Sequence, residues 1–432
     1  MGQDLTRVAV IGGGCAGLAA AAELAVNGIP VTLLEAAKQV GGRARGLNWK
    51  GRRLDNGQHI LLGAYRETLR LMRLAGVDTA QALLRLPLQL VQHPGFELRA
   101  SPHLPAPLHV LAGLLRAKGL APRERLAALA FMARLKLSGF RIRRDQPLAI
   151  YLRRHRQSEA LVRWLWEPIC LAALNTPLEQ ASTRVFLNVL RDSFAGAKSD
   201  SDLLLPRLDL SALLAEPLAR LVKRCGGEVQ TGTTVSAIRS DGDGFRLACA
   251  EAILPFSHVI VAASPFRLND LLRDLPLAPV PEPGYQPIAT IYLQYPDGVS
   301  LPFPMVGLTG GYSQWVLDRG ALDGQPGLLG VVISAEGRHQ ALTQEALATA
   351  VAQELAAAFP GLPPPEWHKV IVEKRATFSC TPDLLRPQQK TPLKNLFIAG
   401  DFSAGDYPAT IEGAVRSGVQ CARLISASLG RS

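Results

Sequence analysis

Two glycine-containing segments near opposite ends of the chain constrain its fold more than any other feature. The first follows a short apolar run and has the pattern G-x-G-x-x-G over residues 12–17. The second, at residues 396–401, is an apolar run that ends in Gly400 and Asp401. A chain that carries both segments is typical of proteins that hold a long dinucleotide at both of its ends. We therefore predict an α/β fold in which the two segments meet around one dinucleotide.

The N-terminal segment has the order of elements that a dinucleotide-binding unit needs. Residues 8–11 predict a buried strand, and an Ala- and Leu-rich stretch at 16–26 predicts a helix. Gly12 permits the tight turn between them, Gly14 lets the backbone approach a diphosphate, and Gly17 lets the helix pack closely on the sheet. The N–H groups and the positive dipole end of the helix then face the diphosphate.

An acidic residue follows the motif at the expected distance. Glu35 comes directly after a second apolar run at residues 31–34, about twenty residues beyond the glycines. A carboxylate there accepts hydrogen bonds from ribose hydroxyls and repels a 2′-phosphate. FAD lacks this 2′-phosphate, and it is the dinucleotide that a single chain usually holds at both ends. We therefore predict FAD as the cofactor.

Composition limits the other classes of site. The chain of 432 residues is long enough for two domains or one elaborated domain. Its six cysteines are scattered without a C-x-x-C pair, and its histidines lack metal-ligand spacing, so we predict neither a disulfide framework nor a metal site. No apolar stretch is long enough to span a bilayer. Residues 1–7 are too short and polar for a signal peptide, and we expect a cytoplasmic protein.

The formal net charge of +11 raises the question of whether the protein binds an anionic partner. No basic stripe interleaved with aromatic residues is present, so we predict no binding of nucleic acid. Residues 83–145 instead alternate apolar runs with arginines and lysines, a pattern typical of segments that lie on lipid headgroups. We expect a peripheral protein on the inner face of the cell membrane. The alternative is an ordinary solvated helical face.

The order of predicted elements indicates a discontinuous cofactor domain, because a helical stretch and a run of strands separate the two glycine-containing segments. We assign residues 1–78, 205–264 and 388–432 to a Rossmann-like FAD-binding domain. Residues 79–204 would form a helical lid that faces the membrane, and residues 265–387 a mixed-sheet substrate domain.

The motifs together resemble those of the flavin-dependent amine oxidase and phytoene desaturase superfamily over nearly the whole chain. Besides the N-terminal glycines and Glu35, they include residues 41–43, with the sequence Gly-Gly-Arg, and the pair Gly400 and Asp401. The resemblance implies an FAD-dependent oxidoreductase that binds a lipophilic substrate.

One branch of that superfamily is more similar than the others. Residues 54–59, 166–176 and 408–418 resemble the squalene-associated FAD-dependent desaturases, which are described as hydroxysqualene dehydroxylases of hopanoid biosynthesis. This resemblance implies reduction of hydroxysqualene to squalene by hydride transfer from FADH2. A triterpenoid of this kind partitions into lipid, which agrees with an apolar and basic lid. Whether squalene-forming synthases dock onto the protein stays open.

The resemblance also implies which residues bind FAD. Gly42 and Arg43 would wrap the diphosphate, Val235 would meet the adenine through its backbone or be an ordinary strand residue, and a helix beginning at Ile411 would aim its positive end at the flavin. The full implied set is Gly12, Gly14, Cys15, Ala16, Gly17, Glu35, Ala36, Gly42, Arg43, Asn56, Gly57, Gln58, His59, Val235, Gly400, Asp401, Ala409, Thr410 and Ile411.

The candidates for catalysis are His59 and Glu167, either of which could protonate a departing hydroxyl or have only a structural role. Amine oxidases of the superfamily place a tyrosine of their aromatic cage three residues before a Gly-Ala pair. Here Gly413 and Ala414 match that pair, and Thr410 stands in place of the tyrosine. An amine substrate is therefore disfavoured, and the lack of a cysteine in the adjoining segment implies non-covalent FAD. A carotenoid or phytoene desaturase, which moves hydride in the opposite direction, stays open.

Overall fold

The structure, a computed structural model, describes residues 6–249 and 252–430. The ends of the predicted FAD-binding domain and most of residues 1–7 therefore lie outside the described residues. In chain order the strands are β1 (Val8–Ile11), β2 (Val31–Glu35), β3 (Gly46–Trp49), β4 (Arg52–Asp55), β5 (Leu61–Leu62), β6 (Leu83–Leu86), β7 (Gln89–His93), β8 (Phe96–Arg99), β9 (Leu203–Pro206), β10 (Glu228–Thr231), β11 (Val235–Asp241), β12 (Gly244–Cys249), β13 (Ile253–Phe256), β14 (His258–Val261), β15 (Tyr285–Gln294), β16 (Met305–Leu308), β17 (Trp315–Asp318), β18 (Leu328–Ser334), β19 (Trp367–Phe378) and β20 (Leu396–Ile398).

The α-helices are α1 (Cys15–Val26), α2 (Arg66–Leu74), α3 (Thr79–Ala82), α4 (Leu108–Arg116), α5 (Pro122–Leu137), α6 (Leu148–Arg154), α7 (Glu159–Leu161), α8 (Glu167–Leu174), α9 (Thr183–Phe194), α10 (Glu216–Arg224), α11 (Pro265–Leu272), α12 (Arg319–Asp323), α13 (Gln344–Ala358) and α14 (Ile411–Ser428). Single π-helical turns at Val162–Trp166 and Ser211–Ala215 run directly into α8 and α10. In the described part of the chain, no helix is both long enough and apolar enough to cross a bilayer.

A five-stranded parallel sheet in the order β10-β2-β1-β14-β20 joins distant parts of the chain. Every residue of the central strand β1 is buried, and Val10 pairs with Leu33 on one side and Ile260 on the other. The five strands all come from the three segments that the sequence assigns to the FAD-binding domain, although the domain boundaries stay predictions. Because the strands are parallel, their carboxyl ends meet at one edge, where ligands bind in folds of this kind.

The turn from β1 into α1 depends on glycine. Gly12 has φ +108°, a backbone conformation that residues other than glycine rarely adopt. A Cβ at this position would also lie 2.5 Å from the carbonyl oxygen of Ala262. A Cβ at Gly17 would lie 1.9 Å from the carbonyl oxygen of Gly12. The backbone of this turn therefore approaches its neighbours so closely that only glycine, which has no side chain, fits at both positions.

The last helix packs directly on the first. A Cβ built on Gly418 of α14 would lie 2.0 Å from the carbonyl oxygen of Ala16 in α1, so the two backbones approach as closely as glycine permits. Both helices are largely buried, and both begin at the carboxyl edge of the parallel sheet. This contact joins the N-terminal and C-terminal segments into one unit.

A seven-stranded sheet, β19-β15-β18-β17-β16-β7-β8, forms a second layer that is antiparallel except where β16 pairs with β7. Two of its strands, β7 and β8, come from the segment that the sequence assigns to a helical lid, so that segment is less helical than expected. Pro94 and Gly95, the latter with φ +130°, form the tight turn between these two strands. Residues 89–99 therefore form a hairpin on the edge of this sheet.

Apart from β6 and the first residues of β9, which pair with each other, the rest of the predicted lid consists of helices and the segments that connect them. Helices α4 and α5 pack against each other. Their inner faces are buried in the largest apolar core through residues that include Val110, Leu114, Phe131, Met132 and Leu135. The lid is therefore fixed to the body of the protein by apolar burial.

We expect the variant Gly418→Ala to lower the free energy of unfolding by about 1–3 kcal/mol, because the added methyl group forces α14 away from α1. Gly298→Ala is the matched control, since a Cβ at that position meets no atom within 4 Å, and it should stay within about 0.5 kcal/mol of the unsubstituted protein. Urea unfolding followed by circular dichroism measures both. Equal midpoints for the two variants would contradict the close packing.

Candidate active site

One cavity of about 1,100 Å³ extends from the carboxyl edge of the parallel sheet to the inner faces of the lid helices. Ligand pockets for single drug-sized molecules have volumes of about 300–1,000 Å³. The cavity therefore has room for a large cofactor together with a second ligand. Its two ends differ in chemistry, because one is formed by backbone and polar groups and the other by aliphatic side chains.

The structure brings the residues that the sequence implied for FAD binding to this cavity, with one exception. Gly17 lies behind the wall, where it permits the close contact of α1 with the preceding turn. The residues of the set that line the cavity are Gly12, Gly14, Cys15, Ala16, Glu35, Ala36, Gly42, Arg43, Asn56, Gly57, Gln58, His59, Val235, Gly400, Asp401, Ala409, Thr410 and Ile411. Their individual contacts with the cofactor stay predictions.

The polar end has the features that an adenosine diphosphate requires. Gly14 precedes α1 in an extended conformation, and a Cβ there would meet no atom within 4 Å, so the backbone borders open space. Glu35 is held by the N–H groups of Gly13, at 2.5 Å, and Ala37, at 2.7 Å. The remaining lone pairs of its carboxylate can accept from ribose hydroxyls. The residues present therefore fit FAD.

A direct ion pair joins Arg43, the last residue of the Gly-Gly-Arg motif at 41–43, to Asp401 of the C-terminal glycine-containing segment. The Arg43 guanidinium donates to both carboxylate oxygens of Asp401 at 2.8 Å and to the carbonyl oxygen of Ala376 at 2.6 Å. The adjacent carboxylate raises the pKa of Arg43 above its ordinary value. Its charge is thus balanced by Asp401, a partner that the sequence analysis did not assign to it. The two-point geometry also fixes the orientation of both side chains.

A partly buried thiol, Cys15, also lines this end of the cavity. Burial raises the pKa of Cys15 to about 11, so the group is a neutral thiol near neutral pH. Cys380 and Cys421 do not contribute to the cavity lining. This arrangement agrees with FAD that is held without a covalent bond.

The N-terminus of α14 opens into the cavity at Ala409, Thr410 and Ile411. The Thr410 hydroxyl accepts from the N–H of Gly413 at 3.1 Å and caps the helix, and it donates to the carbonyl oxygen of Pro408 at 3.4 Å. Thr410 therefore supplies a cap at the position where amine oxidases carry a cage tyrosine. The remaining N–H groups and the helix dipole favour negative charge at this point of the cavity.

Residues 56–59 form one wall, which a buried network that includes Asp55 holds from behind. Arg319, only 2% exposed, donates to the Asp55 carboxylate at 3.1 Å and to Gln58 Oε1 at 3.0 Å, and it also pairs with Asp323. The Tyr292 hydroxyl accepts from Gln58 Nε2 at 2.6 Å and donates to the carbonyl oxygen of Asp55 at 2.9 Å. Both polar ends of Gln58 are thus fixed, which makes this wall rigid.

His59 has a defined tautomer because its Nδ1 lies 2.9 Å from the carbonyl oxygen of Gly57, which can only accept. Nδ1 therefore carries a hydrogen, and Nε2 is unprotonated in the neutral ring. Burial lowers the pKa of His59 below 6.5. The ring can supply a proton from Nε2 only when it is an imidazolium, a form that becomes more populated as the pH falls.

The structure does not bring Glu167 to the cavity. Its neighbours Trp166 and Pro168 line the cavity, but Glu167 itself is exposed and lies outside the lining. Partial burial and the nearby Glu179 raise its pKa. The first turn of α8 directs this side chain toward solvent, so we do not carry Glu167 into the proposed chemistry.

Several polar residues of the cavity lining belong to none of the motifs that the sequence analysis recognised. The clearest is Tyr407, whose hydroxyl donates to Asp192 Oδ2 at 2.7 Å across the boundary between the C-terminal segment and helix α9. The position of Tyr407 directly before Pro408 of the C-terminal motif was a signal available in the sequence. Nothing in the sequence connects it with Asp192, because the two residues are far apart in the chain.

The other end of the cavity is formed by apolar residues from the lid and the large sheet. Trp166 and Trp315 present aromatic rings there. The apolar residues of this end include Leu88, Leu90, Leu98, Val110, Leu114, Met132, Leu165, Trp166, Met305, Trp315 and Val332. This apolar end suits a long hydrocarbon chain and has few groups that could hold water.

The profile described as flavin-containing amine oxidoreductase matches residues 15–426. The chain belongs to this family. Among curated proteins, it is 30% identical to a hydroxysqualene dehydroxylase from Rhodopseudomonas palustris, with 98% of each chain covered. It is 28% identical to a hydroxysqualene dehydroxylase from Sinorhizobium fredii, with 97% of this chain and 98% of the relative covered. A zeta-carotene desaturase from Arabidopsis thaliana is 22% identical, with 97% of this chain and 85% of the relative covered.

The solved structure of cyclohexylamine oxidase from Brevibacterium oxydans has the same fold, with a TM-score of 0.72 at 19% identity and coverage of 99% of this chain and 100% of that one. The predicted α/β fold is thereby confirmed. Family membership also confirms the prediction of an FAD-dependent oxidoreductase. As in other members of the flavin-containing amine oxidoreductase family, the cofactor is FAD, and its placement at the polar end of the cavity stays a prediction.

We expect Gly14→Val to weaken FAD binding without unfolding the protein, because its side chain would occupy space that faces the cavity. FAD affinity should fall at least about tenfold, equivalent to 1.4 kcal/mol. The apoprotein's unfolding free energy should change by no more than about 0.5 kcal/mol. Flavin absorbance per mole of purified protein and urea unfolding measure the two effects. A variant with a full complement of flavin would contradict the placement of the diphosphate.

Proposed function

We propose that the protein reduces hydroxysqualene to squalene in the biosynthesis of hopanoid-type triterpenes. The single observation that carries this proposal is the continuity of the cavity from the glycine motif to the aliphatic end under the lid. The relatives described as hydroxysqualene dehydroxylases, at 28–30% identity over nearly the full length, support the same substrate. The zeta-carotene desaturase, at 22% identity, supports the alternative less well.

The apolar end accounts for binding of the hydrocarbon chain. Burial of aliphatic surface contributes about 25 cal/mol per Å² removed from water, so a long isoprenoid needs no polar partner along most of its length. The same lining excludes water from a carbon that becomes positively charged when its hydroxyl leaves. The rings of Trp166 and Trp315 line this region and can stabilise positive charge through their faces.

The reaction requires a hydride for carbon and a proton for the departing oxygen. Reduced FAD supplies the hydride when it is bound in the cavity. The C–O bond of the allylic alcohol breaks as its oxygen is protonated, and the products are squalene, water and oxidised FAD. Of the two catalytic candidates from the sequence, only His59 lines the cavity. We therefore assign the proton that the departing hydroxyl receives to His59 Nε2.

The protein also prepares the electrostatics of the cofactor end. The capped N-terminus of α14 places backbone N–H groups beside the cavity, where they stabilise negative charge. The network around Arg319 fixes residues 55–59, including His59, so that proton donor and substrate keep one relative position.

An anaerobic single-turnover experiment tests the function. FAD-loaded protein is reduced, mixed with hydroxysqualene in detergent, and analysed for squalene by mass spectrometry while flavin absorbance is followed. We expect one squalene for each flavin that is reoxidised. Absence of squalene from protein with reducible FAD would overturn the proposal. Turnover of a polyene precursor by the oxidised protein would then support a carotenoid-type desaturase.

The proton assignment predicts a pH dependence. Since burial holds the pKa of His59 below 6.5, the donor form increases as the pH falls through that value, and kcat should increase with it. The variant His59→Gln cannot supply this proton, so it should lose at least about tenfold in kcat and show no increase at low pH. Glu167→Gln is the control and should behave as the unsubstituted enzyme. A pH profile unchanged in His59→Gln would remove His59 as the donor.

A further inference from the structure

The positive charge of the protein is concentrated in one short part of the lid. Residues 108–156, here called the basic segment, contain twelve lysines and arginines and only two acidic residues, which gives a net charge of +10 out of +11 for the whole chain. Within the described part of the chain, Lys118 is the one basic residue of this segment with an ion-pair partner, Glu97. The other cations are therefore not neutralised by the protein itself.

The same segment exposes aliphatic side chains that a solvated surface does not need. In α4, Leu108 and Leu115 are 50% and 51% exposed, and in α5, Leu126 and Leu137 are 62% and 90% exposed. Along α5 the exposed apolar residues are Leu126, Ala130, Ala133 and Leu137. Their spacing of four, three and four residues places them on one stripe of the helix. Such a stripe indicates a surface that meets an apolar partner.

The opposite faces of these two helices line the cavity. Val110 and Leu114 of α4 and Met132 of α5 belong to its apolar end. The exposed stripe and the substrate end of the cavity are therefore separated by the thickness of a single helix layer. A molecule bound to the outer face of α4 and α5 is therefore separated from the cavity by these two helices alone.

We propose that the outer surface of α4 and α5, here called the lid surface, docks on an anionic phospholipid bilayer and receives the substrate from it. Arginines and lysines attract the headgroups, while the exposed leucines enter the acyl boundary. A nucleic acid would use the charges but not the leucines. The docking part of this proposal is independent of the enzyme's chemistry, whereas delivery of substrate rests on the proposed function.

Flotation with lipid vesicles tests the docking. FAD-loaded full-length protein is incubated with vesicles of phosphatidylcholine, with or without phosphatidylglycerol, over a range of salt concentrations. We expect binding to the anionic vesicles, at least about tenfold weaker binding to the neutral ones, and weakening by salt as charge is screened. Binding that is equal for both vesicle types, or absent from both, would overturn the proposal.

Two variants separate charge from insertion. The double variant Leu126→Ser and Leu137→Ser keeps every charge and should bind anionic vesicles at least about tenfold less tightly, because two aliphatic side chains no longer enter the lipid. Leu385→Ser is the matched control, since Leu385 is 76% exposed but lies outside the lid, and its binding should not change. If the double variant binds vesicles and heparin as tightly as the unsubstituted protein, the lid surface is a general polyanion site and the proposal fails.

Substrate delivery is tested by comparing two sources of hydroxysqualene. The double variant should form squalene from detergent micelles at the rate of the unsubstituted protein, and at least about tenfold more slowly from anionic vesicles. Equal rates from vesicles would show that delivery does not use the lid surface. If the unsubstituted protein forms no squalene from either source, the proposed function fails, while flotation still decides the docking.

Discussion

The contact between α1 and α14 is the interaction on which the rest of the structure depends. Gly418 lets the last helix touch the backbone of the first at Ala16. Because both helices begin at the same edge of the parallel sheet, this contact brings two positive dipole ends to one cavity. The middle of the chain can then form a second sheet and a lid without disturbing the cofactor end.

The guanidinium groups of Arg43 and Arg319, near the cavity, are paired with carboxylates of the protein. Arg43 pairs with Asp401 at the cofactor end, and Arg319 pairs with Asp55 and Asp323 behind the wall that contains His59. A buried ion pair contributes little net stability, because its attraction is offset by loss of hydration. The effect of Arg43–Asp401 and of Arg319–Asp55 is geometric, since each of these two pairs fixes segments that are far apart in sequence. The site is therefore shaped before any ligand is present.

Local patterns made the cofactor end predictable from sequence. The strand, glycine turn, helix and Glu35 occupy consecutive residues, so their geometry follows from short-range rules. Long-range pairings carried no such signal. The contact of Tyr407 with Asp192 and the entry of β7 into the large sheet depend on how distant segments pack. Glu167 shows the same limit, because α8 is apolar on most sides and its rotation is set by neighbouring helices rather than by its own pattern.

The uneven distribution of charge has a consequence for how the molecule moves before it touches anything. With +10 in residues 108–156 and only +1 in all the others, the centres of charge and of mass do not coincide. Near a negatively charged plane the protein therefore experiences a torque as well as an attraction. The field turns residues 108–156, which include α4 and α5, toward that plane, so the orientation is selected within a Debye length of about 8 Å. The sequence thus specifies a direction of approach in addition to a fold.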